Sequence, residues 1–225
     1  MQIKLVIFDL DGTLLNTLSD LAYSTNYALE KNGFPPHPIE SYKCFVGNGI
    51  NKLFERTLPD GQKTADNILK IRKTFLPYYD THNTEYTEPY KGIPELLNTL
   101  QAEGIKMAVA SNKYQQATEK LINRYFPEIK FIAVFGQREG VPVKPDPAVV
   151  HEIVSIAAIP AVNTLYVGDS GVDIQTASNS SVTSMGVTWG FRPRSELEAF
   201  GAVHIADSAN QILRIITDSQ YCAII

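Results

Sequence analysis

The sequence predicts an α/β protein in which a doubly wound parallel sheet forms the core and an all-helical cap is inserted near the N-terminus. Short apolar runs alternate with segments of helical periodicity along most of the chain. This alternation is typical of strands buried on both faces and joined by right-handed crossover helices. One early stretch breaks the alternation, because it has several helical patterns and no apolar strand run. The break indicates an insertion.

Six apolar runs are predicted to be strands. The first, IKLVIFD, is almost continuously apolar, as expected for a strand that is covered on both faces of a parallel sheet. In chain order, the predicted strands are 3–9, 105–111, 131–136, 163–169, 181–190 and, closing an edge of the sheet, 202–207.

Helical patterns separate these strands at 92–104, 112–126, 145–159 and 172–180. Pro94 suits the first turn of its helix and Gly104 suits a C-terminal stop. The inserted stretch has further helical patterns at 18–34, 39–58 and 63–82, and the chain returns to the core at 86–93. The predicted domains are therefore an α/β core of residues 1–15 and 88–225 and a helical cap of residues 16–87.

Composition limits the classes of function. The chain has 225 residues, 44% of them apolar and 20% charged, and its net charge is −4. No basic field therefore indicates a nucleic-acid or acidic-membrane partner. No stretch approaches the about 18 apolar residues of a membrane span, and the N-terminus leads into a strand without the apolar region of a signal peptide. Cys44 and Cys222 are far apart and fit no metal spacing, which favours free thiols in a reducing compartment. We expect a cytoplasmic protein, either a monomer or a homodimer.

Polar residues stand where the predicted strands end. In an open parallel sheet, the carboxyl ends of the strands form the edge at which ligands bind, so these residues are expected to lie together. They are Asp9 and Asp11 after the first strand, Ser111 and Asn112 after the second, Lys144 in a loop before a helix, and Asp169 and Asp173 after the fourth.

Each of these residues alone has an ordinary structural interpretation. Asp11 could favour a turn, Ser111 could cap the helix that follows it, and Lys144 could be an exposed lysine. Asp169 and Asp173 could be acidic residues in the first turn of a helix. Their shared edge and complementary chemistry favour a common site, in which a cation would offset the repulsion between neighbouring carboxylates.

The whole chain resembles the phosphatase branch of the haloacid dehalogenase (HAD) superfamily, which has a Rossmann-like core. The four motifs of that superfamily correspond here to Asp9-x-Asp11-Gly-Thr, Ser111, Lys144-Pro145 and Gly168-Asp169-Ser170-x-x-Asp173. The segments FVGNGINKLFERTL (45–58) and WGFRPRSEL (189–197) are similar to segments of phosphoglycolate phosphatases. Asn16 departs from the aspartate that many members carry at this position, and the departure bears on the subfamily more than on the chemistry.

The resemblance implies a role for each motif residue. Asp9 would attack phosphorus and form an aspartyl-phosphate, and Asp11 would act first as the acid and then as the base. Mg²⁺ would be held by Asp9, the main-chain carbonyl of Asp11 and Asp169, with Asp173 bound directly or through water. The expected phosphate-binding residues are Ser111, Asn112, Lys144, Gly12 and Thr13. Ser111 and Lys144 also belong to the expected catalytic set, Lys144 as a fixed positive charge beside Asp9.

In the cap, the segment VGNGINK is the most suggestive of substrate contact. Gly47, Asn48 and Gly49 could present main-chain N–H groups to a small anion such as a carboxylate. Cationic side chains stand nearby in sequence at Lys43, Lys52 and Arg56. The alternative is that the glycines only shape a turn between two helices.

These features favour a Mg²⁺-dependent phosphatase that acts on a small phosphorylated metabolite, with 2-phosphoglycolate as the favoured substrate. Other functions stay open: a pyrophosphatase, a sugar-phosphate phosphatase, a β-phosphoglucomutase-like phosphotransferase, or a non-catalytic module that binds a phosphorylated ligand. The presence of both Asp9 and Asp11 weighs against the last of these, because a binding module needs no acid–base partner.

Overall fold

A computed structural model describes residues 2–217. Its strands are β1 (Leu5–Phe8), β2 (Leu15–Asn16), β3 (Glu88–Pro89), β4 (Lys106–Tyr114), β5 (Phe131–Gln137), β6 (Thr164–Gly168), β7 (Thr183–Val187) and β8 (His204–Ala206). Its helices are α1 (Leu18–Lys31), α2 (Tyr42–Phe45), α3 (Ile50–Thr57), α4 (Ala65–His82), α5 (Ile93–Ala102), α6 (Gln115–Tyr125), α7 (Ala148–Ala157), α8 (Gly171–Asn179), α9 (Arg194–Ala199) and α10 (Ala209–Thr217). None of the described helices is long and apolar enough to cross a membrane. Cys44 is exposed, and the prediction made for Cys222 lies outside the described residues.

Six of the described strands form one parallel sheet in the order β5-β4-β1-β6-β7-β8. This order confirms the predicted doubly wound core and the edge position of the last strand. β1 lies between β4 and β6, with Phe8 opposite Val109 and Val167. The register brings the residues that follow these three strands to one edge of the sheet.

Side chains of β1 pack against helices on both faces of the sheet. Val6 and Phe8 belong to a cluster with apolar residues of α5, α6 and α10. Leu5 and Ile7 belong to a second cluster with residues of α7 and α8. Because both faces are covered, the strand is a continuous apolar run rather than an alternating one. Each large apolar side chain buried in this way contributes about 1.5–3 kcal/mol.

The inserted helices have a hydrophobic cluster of their own. Helices α1 to α4 supply most of it, and Tyr42, Phe54 and Phe75 are among its fully buried side chains. Ala117 of α6 and Phe191 also belong to this cluster, so the packing of the cap extends onto the core. The predicted cap boundaries, 16–87, stay a prediction.

The helical pattern at 39–58 is divided into several pieces in the structure. The segment contains a 3-10 turn at Ile39–Ser41, then α2, a loop and α3. Gly47 and Gly49 in the loop have φ values of +126° and +83°, in a region of backbone conformation that favours glycine and interrupts a helix. The interruption lets the main chain of this loop approach the edge of the sheet.

A ribbon of two short strands joins the cap to the core. β2 and β3 pair in antiparallel fashion, with Leu15 opposite Pro89 and Asn16 opposite Glu88. The chain therefore enters and leaves the inserted helices at adjacent positions. This ribbon is not predicted from the sequence, because two residues are too few to reveal a period. Helices α9 and α10 are not predicted either.

Candidate active site

A cavity lies between the carboxyl edge of the sheet and the cap. The core contributes Asp9, Asp11, Ser111 and Asp169 to its lining, and the cap contributes Gly47, Gly49 and Tyr79. The structure thus brings residues of the first, second and fourth motifs together and sets the glycine loop of the cap opposite them.

Three carboxylates converge at this edge of the sheet. One oxygen from each of Asp9, Asp169 and Asp173 lies within 4.8 Å of the others. Burial raises the pKa of Asp9 to about 7, with Lys144 opposing the rise and Asp173 and Asp11 adding to it. Burial and the other two carboxylates also raise the pKa of Asp169 well above its ordinary value. Buried negative charge that a single lysine compensates only in part favours a bound cation, and carboxylate oxygens suit Mg²⁺. The residues therefore fit a divalent metal ion.

The start of α8 orients Asp173. The Ser170 N–H donates to Asp173 Oδ2 at 3.1 Å as one half of the capping box at this helix start. The Ser170 hydroxyl donates to the same oxygen at 2.6 Å. The other oxygen, Oδ1, accepts a hydrogen bond from Lys144 Nζ at 2.7 Å. Asp173 thus serves the helix terminus and also reaches the carboxylate cluster.

Asp169 is held from two sides. Thr13 Oγ1 donates to its Oδ1 at 3.3 Å, and the Phe191 N–H donates to its Oδ2 at 2.7 Å. Gly12 has a φ of +87°, and a Cβ atom at this position would overlap the Asp169 carboxylate. Gly12 and Thr13, which the resemblance implies as phosphate-binding residues, therefore contact Asp169.

Lys144 supplies positive charge to the carboxylates. Its side chain is 3% exposed, and its Nζ lies 3.0 Å from Asp9 Oδ1 in an ion pair without the geometry of a hydrogen bond. Nζ also donates to the Tyr166 hydroxyl at 2.9 Å. Burial alone would lower the pKa of Lys144, but Asp173 and Asp9 raise it well above its ordinary value. The side chain therefore stays an ammonium, and the alternative of an exposed lysine is wrong.

The side chain of Asn112 fixes the loop that carries Lys144. Its Oδ1 accepts from the Lys144 N–H at 2.9 Å, and its Nδ2 donates to the Lys144 carbonyl at 3.1 Å. The same Nδ2 lies 3.2 Å from the carbonyl of Gly47 in the cap. The sequence predicts Asn112 as a phosphate-binding residue, and this role of its side chain is not evident from the sequence.

Ser111 lies inside β4 rather than at the start of a helix. β4 continues to Tyr114 and α6 begins at Gln115, so the helix starts later than predicted and Ser111 does not cap it. The pairing of β4 with β5 shifts register between Ala110 and Tyr114. Ser111 lines the cavity from this irregular stretch, and its Oγ accepts from the Lys113 N–H at 3.2 Å.

Lys113 is a residue of the cavity that is not predicted from the sequence. Its side chain is 3% exposed, and its Nζ lies 3.1 and 3.3 Å from the two carboxylate oxygens of Asp11. Thr17 Oγ1 also donates to Asp11 at 2.7 Å. The ammonium lies 4.7 Å from the centroid of the Tyr79 ring. The signal in the sequence is a lysine two positions after Ser111, but a strand predicted to end at Ser111 assigns that lysine to a helix.

The glycine loop of the cap brings its main chain to the cavity, since Gly47 and Gly49 are part of the lining. The cationic side chains nearby in sequence have partners elsewhere: Arg56 donates to Asn48 Oδ1 at 2.5 Å, Lys43 pairs with Glu40 at 2.7 Å, and Lys52 pairs with Glu55 at 2.6 Å. The side chain of Asn48 is thus bonded within the cap.

Comparison with known proteins agrees with this geometry. Residues 6–187 match the model of the haloacid dehalogenase-like hydrolase family. The chain is 29% identical over 223 residues to a phosphoglycolate phosphatase of Vibrio parahaemolyticus, covering 97% of this chain and 98% of that protein. It is 33% identical over 201 residues to a phosphoglycolate phosphatase of Pseudomonas syringae pv. tomato, covering 86% of this chain and 73% of that protein.

The fold is also similar to that of a solved structure. The crystal structure of a predicted phosphoglycolate phosphatase from Haemophilus somnus superposes with a TM-score of 0.89 at 28% identity, covering 96% of this chain and 98% of that one. The family match spans most of the chain, and the residues that match its motifs meet at one edge of the sheet. The chain therefore belongs to the haloacid dehalogenase-like hydrolase family, as a phosphatase of the phosphoglycolate phosphatase-like kind.

Proposed function

We propose that the protein is a Mg²⁺-dependent phosphatase that hydrolyses 2-phosphoglycolate through an aspartyl-phosphate intermediate. The observation that carries the proposal is the convergence of Asp9, Asp169 and Asp173 within 4.8 Å beside the buried ammonium of Lys144. Asp11 lines the same cavity with its carboxylate outside that cluster, where it is the proposed acid and base. The curated phosphoglycolate phosphatases named above support the choice of substrate.

In the proposed reaction, a carboxylate oxygen of Asp9 attacks phosphorus, and the bond from phosphorus to the ester oxygen breaks. Asp11 gives a proton to the departing alcohol oxygen. The Asp11 carboxylate then takes a proton from a water molecule that attacks the phosphorus of the aspartyl-phosphate. Phosphate leaves, and both aspartates return to their starting forms.

The remaining residues bind and orient the phosphoryl group. Lys144 places a fixed positive charge beside Asp9, and such preorganised charge contributes several kcal/mol in sites of this kind. Ser111 and the Asn112 N–H would donate to a phosphoryl oxygen. Asp9, Asp169 and the main-chain carbonyl of Asp11 would hold the Mg²⁺ ion, with Asp173 bound directly or through water, and the bound ion would neutralise charge on the phosphoryl oxygens.

The test is phosphate release from the purified protein with Mg²⁺ and with EDTA, measured on 2-phosphoglycolate, pyrophosphate, several sugar phosphates and nucleoside monophosphates. We expect metal-dependent release with a kcat/KM at least about tenfold higher for 2-phosphoglycolate. Asp9→Asn should abolish turnover, because an amide is not a nucleophile of this class. Asp60→Asn, at an exposed aspartate of the cap, is the matched control and should leave the rate unchanged.

The outcomes separate the alternatives. A weak and uniform rate on all substrates would refute 2-phosphoglycolate as the substrate and keep the chemistry of Asp9. Transfer of phosphate to a sugar rather than to water would reveal a phosphotransferase. An Asp9→Asn variant as active as the parent protein would refute the mechanism.

A further inference from the structure

The charges in the cavity indicate which residue recognises the leaving alcohol of the substrate. This inference rests on the proposed function. We propose that Lys113 binds the carboxylate of the substrate. It thereby selects phosphomonoesters whose leaving alcohol carries a carboxylate one carbon away from the ester oxygen.

Two cationic side chains, Lys113 and Arg192, line the cavity within the described part of the chain. Arg192 uses its guanidinium to hold the cap: it donates to the main-chain carbonyls of Lys43 and Val46, the latter at 2.8 Å. Its Nε also lies 3.6 Å from Glu196. Arg192 therefore serves the contact between core and cap, which leaves Lys113 as the cation that can meet a ligand.

Lys113 is placed for such a contact by both halves of the molecule. The side chain comes from the end of β4 in the core, and the Tyr79 ring that lies 4.7 Å from its Nζ comes from α4 in the cap. The face of an aromatic ring attracts an ammonium without using its N–H donors. The contacts with Asp11 involve both oxygens of one carboxylate, and a second carboxylate in the cavity can share the same ammonium.

The chemistry at Asp11 fixes where the leaving group lies. Asp11 gives its proton to the ester oxygen, so that oxygen must come within hydrogen-bond reach of Asp11. Lys113 Nζ lies 3.1 Å from the same Asp11 carboxylate. In 2-phosphoglycolate a single carbon separates the ester oxygen from the carboxylate, so the carboxylate falls beside Lys113.

The rest of the lining strengthens this selection. Leu21, Leu53 and Phe75 make part of the cavity wall apolar, and an unpaired carboxylate against such a wall is costly. An ion pair with Lys113 removes that cost for a carboxylate substrate. A neutral substituent at the same position gains nothing from the ammonium.

The experiment compares 2-phosphoglycolate with ethyl phosphate, in which a methyl group replaces the carboxylate. For the parent protein and for Lys113→Met, we would measure kcat/KM on both substrates and take the ratio. We expect Lys113→Met to lower this ratio about 10²-fold, as for loss of a buried charge pair. If the substitution also disturbs Asp11, the loss of rate is the same for both esters and cancels in the ratio of their kcat/KM values. Lys106→Met removes a lysine at the opposite end of the same strand, and it should leave the ratio unchanged.

A binding measurement gives an independent readout. In the Asp9→Asn background, which does not turn over, calorimetry would give the Kd of each phosphate ester with lysine or methionine at position 113. We expect the Kd of 2-phosphoglycolate to rise about 10²-fold on losing the lysine, while the Kd of ethyl phosphate stays the same. Lys113→Arg should restore part of the preference. If Lys113→Met does not fold, Lys113→Gln provides the same comparison.

Equal losses on the two esters would overturn the inference, because Lys113 would then serve Asp11 alone. A parent protein that releases phosphate from neither ester refutes the proposed function instead. In that case the binding measurement still decides the role of Lys113: 2-phosphoglycolate that binds no more tightly than ethyl phosphate overturns it.

Discussion

Replacing Tyr166 with phenylalanine should loosen Lys144 while leaving every carboxylate of the site in place. Tyr166 is 1% exposed; its hydroxyl accepts from Lys144 Nζ at 2.9 Å and donates to the Ala110 carbonyl at 3.0 Å. A hydrogen bond to a buried charge is worth about 1.5–3 kcal/mol. For a chain of this size, in which 1 kcal/mol shifts the Tm by about 2–4 °C, that loss lowers the Tm by about 3–12 °C.

The catalytic effect should be smaller than that of removing the lysine. The Lys144 ammonium keeps its ion pairs with Asp9 and Asp173, so we expect kcat to fall about tenfold, equivalent to about 1.4 kcal/mol, with KM little changed. Thermal denaturation and steady-state kinetics would measure the two effects.

Tyr42→Phe is the matched control for this prediction. Tyr42 is also fully buried, but its hydroxyl donates to the neutral Asn26 Oδ1 at 2.7 Å in the cap. Its loss should cost about 1 kcal/mol and leave kcat unchanged. If Tyr166→Phe were no less stable than Tyr42→Phe and equally active, the hydroxyl would not be holding Lys144, and the reasoning would be refuted.

Three further predictions follow from the site. Gly12→Ala should lower the free energy of unfolding by about 1–3 kcal/mol, because the residue has a positive φ. It should also weaken Mg²⁺ binding, because the added Cβ overlaps Asp169. An unchanged Mg²⁺ affinity in titration calorimetry would contradict this. Asn112→Ala should lower kcat, because the Lys144 loop loses two hydrogen bonds, and a kinetic effect confined to KM would contradict that. The pKa of Asp9 is about 7 in the folded protein and 3.8 in the unfolded chain. Between these pH values the folded protein binds a proton that the unfolded chain has already lost. The metal-free protein should therefore lose stability as the pH rises through this range. Mg²⁺ should therefore raise the Tm more at the alkaline end of that range than at the acid end, and an equal rise at both ends would argue against the metal site.

The six core strands could be predicted because burial on both faces requires continuous apolar runs. The end of β4 could not be predicted from that signal. The residues after Ala110 are polar or charged, and their extended conformation depends on pairing with β5, where Tyr114 lies opposite Gln137. The prediction of a strand ending at Ser111 therefore missed Lys113.

The residue types of the site could be predicted because their spacing matches strand ends. The contacts between them could not, since they depend on distant parts of the chain. Thr13 donates to a carboxylate that lies 156 positions away, on Asp169. Asn112 holds the Lys144 loop 32 positions away. Neither pairing produces a local pattern.

The antiparallel ribbon at Leu15–Asn16 and Glu88–Pro89 has an evolutionary consequence. Because the two ends of the insertion meet, the segment between them can be lengthened, shortened or exchanged without interrupting any strand of the main sheet. The helices that line one side of the cavity can thus be replaced as one module while the carboxylates at the edge of the sheet stay in place. A chimera that carries a foreign helical unit between residues 16 and 88 should still fold its sheet.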